Sequence, residues 1–592
     1  MVAPALSDPR SGPSGVLDHP IPDPTPPSNY YTADHHLPTA LARYYAADPE
    51  GWRWADGYLR EWGAVCARQV APLYELAEAN GPTLTRYDRR GERVDALSFH
   101  PAYHEIGRLA YGAGLAAMCN RPGFRGLSGR APQLVKFAAM YQFLQAEGSV
   151  GCPVSMTDIL ARVLDKYASP EVVARYAPRL TSLAYEDLYT GAMFLTEKTG
   201  GSDVGATTTR ARRAGDAWEL DGDKWFCSNV GADLILTLAR PDGAPAGTRG
   251  LGLFLVPRVL PDGRRNTYGI NRLKDKLGTR AMASGEVTFE RTTAYLIEPL
   301  ERGFVMMMDM VNGTRLHSGV AGAAALRRAV VEATLHARER RAFGRPLAEQ
   351  PLLGAQLADL IVDSDAAASL CMAAAHALDH ADRPGSSRED ALRARLLISL
   401  LKRYAASHGV RGAQASLEMR GGNGYIEDWP NARLLRDALV QVIWEGGVNM
   451  VAFDVLRALE REDAWPVYVD ALDRELDAIA ATGWAASLAA RLRGRIDTLT
   501  DACARIMSLS RAAREIAAPD LSEAMAAVYA AVLLTAEAGF AQEREDGDAD
   551  YAARSAERYA AHVVAPALAA LERHGDEPAE GVADLIAAAV SS

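Results

Sequence analysis

The sequence predicts a mainly α-helical protein with a β domain in the middle of the chain. Three observations support this fold class. The composition is 48% hydrophobic and 23% charged, with a bias toward Ala, Leu, Arg and Glu that favours helices. Apolar residues recur at helical spacing in both outer parts of the chain. Between about 192 and 299, short β-prone segments alternate with Asp-Gly and Pro turns.

A chain of 592 residues is too long for a single core, and we divide it into five segments. We expect a disordered, proline-rich leader without a signal peptide at 1–28 and a helical domain at 29–190. The β domain covers 191–302, an antiparallel four-helix bundle 303–460, and an acidic helical extension 461–592. The longest apolar stretch, Ala524 to Ala536, is too short to span a bilayer. It predicts a buried amphipathic helix, and we expect no membrane association.

The charge is concentrated in the C-terminal segment. Residues 461–592 carry 12 basic and 23 acidic side chains, a net charge of −11 that equals the net charge of the whole chain. Because acidic surfaces repel phosphate backbones, nucleic-acid binding through this segment is not expected. The six cysteines form no CxxC pair and no His cluster accompanies them. This pattern indicates reduced thiols in the cytoplasm and no metal site.

Two glycine-rich motifs and an arginine motif are suited to phosphate groups. The segment Met193–Gly205 (MFLTEKTGGSDVG) precedes Asp221–Asn229 (DGDKWFCSN), and its Gly-Gly-Ser loop allows backbone N–H groups to approach a phosphate. The segment Glu418–Tyr425 (EMRGGNGY) has similarly spaced glycines. In Arg340–Leu347 (RRAFGRPL), the Arg340 guanidinium has donors that match a phosphate. A hairpin connection, a helix C-cap and a helix stop are the alternative interpretations.

A fourth motif contains a carboxylate, Glu445, in Leu435–Asn449 (LRDALVQVIWEGGVN). In isolation, a glutamate after a tryptophan is most simply interpreted as a surface residue. The four motifs in this order nevertheless resemble the signatures of the acyl-CoA dehydrogenase superfamily, and the TEKTGGSD and IWEGGVN forms are similar to its AidB-like branch. The resemblance implies an N-terminal helical domain, a central β-barrel domain, a C-terminal four-helix bundle and an FAD cofactor.

The resemblance also implies which residues bind the flavin half of FAD. Leu195 and Thr196 would lie at the pyrimidine edge of the flavin and Ser202 at the pyrophosphate. Phe226 takes the place of a stacking Trp, and Ser228 the place of a Thr beside flavin N5.

The remaining cofactor residues follow from the other motifs. Arg340 would pair with the pyrophosphate and Phe343 would pack near the adenosine of a neighbouring subunit's FAD, which implies a homo-oligomer, a dimer or tetramer. Gly421 and Gly422 would contact the cofactor. Three positions differ from the usual pattern or have an open role: Glu418 replaces a Gln, Gly447 replaces a Thr or Ser, and Asn449 is a further candidate hydrogen-bond donor.

The resemblance assigns catalysis to Glu445, the general base that removes the α-proton of an acyl thioester while hydride leaves Cβ for flavin N5. A second base position of the family falls on Thr314, which has no basic group. Arg315 either tunes Glu445 or pairs with another carboxylate. The substrate would be a thioester of CoA or of a carrier protein, and the electron acceptor an electron-transfer flavoprotein.

Three alternatives remain open at this point. The first is an AidB-like flavoprotein with weak dehydrogenase activity and a protective or DNA-associated role in the response to alkylation. The second is a flavoprotein that oxidises an amine with oxygen. The third is a structural relative without a cofactor. The presence of Glu445 disfavours the second, and Phe226, Arg340 and the Gly421-Gly422 pair disfavour the third.

Overall fold

The computed structural model describes residues 24–479, 483–544 and 547–575, together with 586 and 588–589. Most of the predicted leader therefore lies outside the described residues. The order of elements is helices, then a sheet, then helices again, as the sequence predicts.

The N-terminal part is helical, and it includes a hairpin that the sequence did not predict. Helix α5 is buried on almost all sides, and its first two N–H groups donate to the Asp379 carboxylate at 2.6 and 3.0 Å. This contact fixes α5 to the later helices. The elements are α1 (Leu37–Tyr44), α2 (Pro49–Val65), α3 (Ala71–Ala79), β1 (Thr83–Tyr87), β2 (Arg93–Ser98), α4 (Pro101–Gly112), α5 (Gln133–Ala146), α6 (Gly151–Tyr167) and α7 (Pro170–Leu180).

The middle part is a seven-stranded sheet of mixed direction. Its strands are β3 (Gly191–Phe194), β4 (Arg210–Ala214), β5 (Ala217–Ser228), β6 (Leu234–Pro241), β7 (Gly252–Pro257), β8 (Tyr268–Leu273) and β9 (Ser284–Ile297).

The β-barrel that the resemblance implied is not confirmed. In a regular barrel each strand pairs with two neighbours, whereas β6 pairs with β3, β4 and β7, and β9 pairs with β5, β7 and β8. The pairing of β4 with β6 covers only Arg210 and Ala211, and the register of β9 shifts in its pairings with β5 and β8. The sheet is therefore branched and irregular, and it packs its buried face around Phe194, Phe254 and Val287.

Long helices follow the sheet. Helices α8 (Gly303–Glu339), α9 (Pro351–Ala381) and α10 (Arg388–Arg420) pack against one another, and α11 (Pro430–Leu439) and α12 (Val448–Glu462) pack on α10. Ser387 and Asp390 form a capping box that begins α10. A two-residue hairpin, β10 (Arg341–Ala342) with β11 (Arg345–Pro346), directly follows α8.

The C-terminal extension packs on this helical part. Its helices are α13 (Ala464–Asp477), α14 (Trp484–Ser508), α15 (Arg511–Glu543), α16 (Ala549–Tyr559) and α17 (Ala565–Leu571). Asp365 of α9 accepts hydrogen bonds from Tyr551 at 2.7 Å and from Ser555 at 2.8 Å.

Helix α15 corrects the prediction for the longest apolar stretch. It has 33 residues, so by length and composition it passes the test for a membrane-crossing helix, with a mean hydropathy of 1.6 in its most apolar window. However, 94% of that window is buried inside the protein. Residues 524–536 are buried on every side, so the stretch is a core helix and is not amphipathic.

Candidate active site

Glu445 lies in a strained turn between a short 3₁₀ segment (Val440–Val442) and α12. Its φ is +55°, and the φ of the following Gly446 is +92°. A positive φ is uncommon for a residue other than glycine, and such backbone strain clusters at functional sites. The backbone of this turn therefore marks Glu445 as a candidate functional residue, independently of any motif.

The Glu445 carboxylate accepts a hydrogen bond from the Thr314 hydroxyl of α8. Burial raises the pKa of Glu445 above its ordinary value, while the hydrogen bond from Thr314 and the charges of Lys402 and Arg315 oppose this rise without cancelling it. The result is a carboxyl group that releases its proton less readily than a surface glutamate does.

Arg315 has both of the roles that the sequence left open. Its Nε donates to the backbone oxygen of Glu445 at 3.0 Å, and its Nη1 lies 3.1 Å from a carboxylate oxygen of Asp454 on α12. It therefore holds the turn through the main chain, pairs with a different carboxylate, and lowers the pKa of Glu445 through its charge.

Lys402 is a functional candidate that the motifs missed. It lies on α10 with 0% of its side chain exposed, and its ammonium group donates to the backbone oxygen of Gln441. Burial lowers the pKa of Lys402 to about 7, although the nearby Glu445 carboxylate raises it. A lysine within an apolar helical run (LLISLLKRYAA) was the available signal, because buried lysines are rare unless a charge accompanies them.

An elongated cavity begins at Glu445. Trp444 and Thr314 line it beside the carboxylate, and residues of α5, α6, α8 and α11 form its walls. Along α8 the lining runs from Thr314 to Ala325, a separation of 11 positions that spans about 16 Å at the helical rise. The wall between these positions is mainly apolar, with Met140, Leu144, Met156, Ala321 and Ala325.

Cys152 connects this cavity to the sheet. It lines the cavity from α6. Burial raises the pKa of its thiol to about 12, the Glu445 charge adds to that rise, and a hydrogen bond with Ser228 opposes it. Ser228 is the last residue of β5. Ser228 therefore contacts a residue of the cavity wall, Cys152, whose thiol also senses the Glu445 charge.

The other predicted residues of the sheet lie on an open face. Phe226 is 58% exposed, with the Lys274 ammonium 4.9 Å from its ring centroid, and Ser202 is exposed. The backbone oxygen of Thr196 accepts from the N–H of Trp225 at 2.8 Å, which joins the loop to β5. Leu195 is partly buried against the apolar cluster that includes Met156.

A buried ion pair supports this loop. Lys224 lies 2.8 Å from Glu197, whose carboxylate also accepts from the N–H and hydroxyl groups of Thr208 and Thr209. Burial opposes ionisation, but these contacts outweigh it and lower the pKa of Glu197 to about 2. Lys198 of the same loop forms a surface pair with Asp223 at 3.0 Å.

The arginine motif and the second glycine motif lie together at the far end of α8. Arg340 follows the last residue of that helix, as the helix-stop interpretation predicts. Burial, then the charges of Arg420 and Arg340, lower the pKa of His336 to about 4, which places both arginines near it. Phe343 is 96% exposed.

The glycines at this end leave open space above the backbone. An added Cβ at Gly421, whose φ is +67°, or at Gly422 would meet nothing within 4 Å. Glu418 is exposed and accepts from Gln414 at 2.9 Å, so it turns toward its own helix. Thr314 and Arg340 are separated by 26 residues, about 39 Å along α8.

Gly447 and Asn449 lie beside Glu445. Gly447 is the N-cap of α12, and Asn449 is exposed in the first turn of that helix. Among the described residues, no group of three or more His, Cys, Asp or Glu side chains has an arrangement that could hold a metal ion.

Comparison with known families identifies this arrangement. The model of the acyl-CoA dehydrogenase C-terminal domain matches residues 301–459, and the model of the acyl-CoA dehydrogenase middle domain matches 192–292. The chain belongs to the acyl-CoA dehydrogenase family. The model of the N-terminal domain of the adaptive response protein AidB matches 21–187, which places the chain in the AidB-like branch. Members of the acyl-CoA dehydrogenase family are oxidoreductases that act on CH–CH groups, and they use FAD.

Individual relatives agree with this assignment. AidB of Escherichia coli (strain K12) is 34% identical over 461 residues, which cover 76% of this chain and 80% of AidB. Acyl-CoA dehydrogenase family member 11 of Caenorhabditis elegans is 33% identical over 414 residues, 68% of this chain and 67% of that protein.

Two solved structures show the same fold. The crystal structure of Caenorhabditis elegans ACDH-11 in complex with C11-CoA covers 100% of both chains, with a TM-score of 0.86 at 26% identity. The structure titled "Bd2924 apo-form" covers 87% of this chain and 99% of its own, with a TM-score of 0.78 at 28% identity.

Proposed function

We propose that this chain is an FAD-dependent acyl-CoA dehydrogenase that removes one hydrogen each from the α and β carbons of an acyl thioester. The observation that carries the proposal is the Glu445 carboxyl group. It has a raised pKa, is held in a strained turn, and lies in the wall of an apolar cavity that Ser228 approaches from the sheet.

Residues on the open face of the sheet and at the far end of α8 fit an FAD cofactor. Phe226 offers an exposed aromatic ring on the open face of the sheet, and the open space at Gly421 and Gly422 leaves room for a phosphate beside the backbone. The residues that would hold FAD are Leu195, Thr196, Ser202, Phe226, Ser228, Arg340, Phe343, Glu418, Gly421, Gly422, Gly447 and Asn449. Bound FAD would supply the acceptor for the hydride that leaves the β carbon.

Glu445 would take the α-proton onto its carboxylate. A base whose pKa is raised toward neutrality binds the proton strongly enough to remove it from carbon and still ionises at working pH. The Thr314 hydroxyl orients the carboxylate, and Arg315 fixes the turn through the Glu445 main chain. The apolar wall excludes water from the reacting carbons. The product would be an α,β-unsaturated thioester, with the α-proton held on the Glu445 carboxyl group.

We also propose a homo-oligomer in which Arg340 and Phe343 serve the cofactor of a neighbouring subunit. Their separation from Thr314, about 39 Å along α8, is too large for one cofactor to contact both groups of a single chain. Phe343 and Tyr425, which are 96% and 81% exposed, would be covered in such an assembly.

The acyl group carrier is proposed to be CoA, which the C11-CoA complex of the related ACDH-11 supports. The electron acceptor that the family resemblance implies is an electron-transfer flavoprotein. All six cysteines are buried and unpaired, which supports a reducing compartment such as the cytoplasm.

A second candidate is a protective or DNA-associated role, which the 34% identity with AidB supports. The acidic extension opposes direct DNA binding through that region. Binding of duplex DNA that weakens steeply with salt would favour this role; the absence of such binding would exclude its DNA-associated form.

The proposed reaction is tested with purified protein under anaerobic conditions. We expect a flavin absorbance spectrum with about one FAD per chain, and bleaching of that absorbance when a suitable acyl-CoA is added. A protein that binds FAD but is reduced by no thioester, across straight, branched and oxygenated acyl chains, would contradict the proposal. A protein that takes up no FAD would contradict it at an earlier step.

A further inference from the structure

Arg433 is a buried cation at the end of the cavity opposite Glu445. It lies on α11, is 8% exposed and lines the cavity. Its Nε and Nη1 atoms are buried, and neither has a hydrogen-bond partner in the part of the chain that the structure describes. Its guanidinium lies 4.9 Å from the centroid of the Tyr74 ring, which accommodates the charge but accepts no hydrogen bond from Nε or Nη1.

Unpaired donors in a buried guanidinium are costly. Each such group forfeits its hydrogen bonds to water without a replacement. Arg436, three residues further along α11, also has an unpaired Nε among the described residues, but both of its terminal nitrogens donate to Glu427 outside the cavity. An oxygen atom from a bound molecule would supply the acceptor that Arg433 lacks.

The shape of the cavity indicates what carries that oxygen. The chain of a thioester whose α carbon lies at Glu445 would pass the apolar side chains of Met140, Leu144 and Ala321 before it reaches the end of the cavity. A methyl terminus would leave the Arg433 donors unpaired there. A tail with a terminal oxygen would satisfy them.

The charges at this end favour an uncharged oxygen over a carboxylate. Asp437 and Glu147 also line the cavity. Burial raises the pKa of Asp437 to about 6 and that of Glu147 to about 7, and the Asp437 charge adds to the rise at Glu147. A third carboxylate would meet repulsion from both groups, whereas a hydroxyl or keto oxygen adds no charge.

We propose that the acyl group of the substrate carries an uncharged oxygen, a hydroxyl or a ketone, near its distal end, and that Arg433 binds this oxygen. The inference rests on the proposed function, because it takes Glu445 as the position of the α carbon. Arg433 acts in substrate selection and takes no part in the proton or hydride transfer.

The test measures binding, so it does not depend on turnover. Calorimetry on the FAD-loaded protein compares 3-thia acyl-CoA ligands, which bind as substrate analogues, with tails that end in a methyl, a hydroxyl or a carboxyl group. At the chain length that binds best, we expect the hydroxyl ligand to bind about tenfold more tightly than the methyl ligand, a factor that corresponds to about 1.4 kcal/mol. Tighter binding of the methyl or the carboxyl ligand would overturn the inference.

Two variants complete the test. Arg433→Met should abolish the preference for the hydroxyl ligand, and Arg436→Met, which removes an arginine of the same helix outside the cavity, should keep it. If Arg433→Met does not fold, Arg433→Lys serves instead and should reduce the preference, because lysine lacks the Nε donor. If the preference for the hydroxyl ligand persisted after substitution of Arg433, another residue would bind the distal oxygen. Failure of every acyl-CoA substrate with a β carbon to bleach the flavin, in the separate reduction test, would contradict the proposed function, while the binding preference among the 3-thia ligands would remain a separate result.

Discussion

The two ends of helix α8 differ in whether the residues around them are enclosed by a single chain. At the Thr314 end, Glu445, Arg315 and Lys402 are enclosed and contact one another or their shared turn through α8, α10 and α12. At the Arg340 end, Phe343 projects with 96% of its side chain exposed, and the backbone at Gly421 faces open space. The proposed acid–base centre is therefore completed by packing within one chain, whereas the proposed phosphate-binding end is an exposed surface.

This difference shows which properties depend on assembly. A pKa set by burial and by neighbouring charges in one chain should be the same in any oligomeric state. A cofactor contact made by exposed residues requires another molecule to complete it. The following experiments test the two ends separately and then together.

The largest effect on the rate of flavin reduction is expected for Glu445→Gln. The amide keeps the size of the side chain but cannot accept the α-proton, so the rate of flavin reduction should fall by roughly 10²- to 10⁴-fold while FAD content stays unchanged. Anaerobic stopped-flow measurement of the flavin absorbance gives the rate. Glu427→Gln, which changes an exposed carboxylate paired with Arg436, is the control and should reduce normally. A rate for Glu445→Gln close to that of the control would mean that another group is the base.

The two ends are tested together by mixing variants. Glu445→Gln and Arg340→Met should each be inactive alone. If Arg340 contacts the neighbouring subunit's cofactor, each pair of one Glu445→Gln chain and one Arg340→Met chain has one site with both substitutions and one site with neither. Random pairing makes half of the pairs mixed, so about a quarter of all sites should be active after coexpression. FAD content and turnover of the coexpressed protein measure the recovery. No recovery, together with a mixed oligomer confirmed by tags, would place Arg340 at the cofactor of its own chain.

A smaller effect is expected for Lys402→Gln. The amide retains a donor for the Gln441 oxygen but removes a positive charge that lowers the pKa of Glu445. The pKa of Glu445 should therefore rise, and the acidic limb of the pH profile for flavin reduction should move to higher pH. Lys166→Gln, at an exposed lysine that pairs with Asp309, is the control. If the acidic limb did not move, Lys402 would not influence the pKa of Glu445.

The smallest effect on turnover is expected at the contact between α10 and the extension. His408 lies 2.8 Å from Glu523 of α15 and 3.5 Å from Asp363 of α9. Burial would lower the pKa of His408, but the two carboxylates outweigh it and raise the pKa from 6.5 to about 9.

Because the folded-state pKa of His408 is raised, its stabilising contribution is complete below about pH 6.5 and is lost as the pH rises through 9. At about 1.4 kcal/mol per pKa unit, this contribution is roughly 3 kcal/mol. Urea unfolding at a series of pH values should show this decline in the wild type. In His408→Gln the unfolding free energy should be lower at neutral pH and nearly flat across the same range. An equal decline in both proteins would assign it to other groups.

Much of the fold was predictable because it follows local patterns. The helical spacing in the outer parts of the chain predicts long helices such as α8 (Gly303–Glu339), and the alternation of short strands with turns predicts the sheet. The hairpin at Thr83–Ser98 was missed because its strands are short and largely exposed. The branching of the sheet at β6 and β9 depends on long-range pairing, which no local pattern records.

The candidate site was predictable only where motifs marked it. Glu445, Arg315 and Ser228 follow from motif positions. In the structure Glu445 lines the cavity, Arg315 holds the Glu445 main chain, and Ser228 bonds to Cys152 of the cavity wall. Lys402 and Arg433 lie outside the four motifs. They are candidates because they are buried and because their neighbours lie more than 30 positions away or across the cavity. Glu418 was open in the sequence, and its turn toward Gln414 depends on a local side-chain contact.

The central claim is that Glu445 removes the α-proton, and hydrogen exchange tests it most directly. A 3-thia acyl-CoA keeps its acidic α-hydrogens but cannot lose hydride from a β carbon, so proton removal is observed alone. In D₂O, the wild-type protein should exchange the α-hydrogens of this ligand for deuterium, as measured by mass spectrometry, while Glu445→Gln should bind the ligand without exchange. Exchange at the wild-type rate in Glu445→Gln would contradict the account.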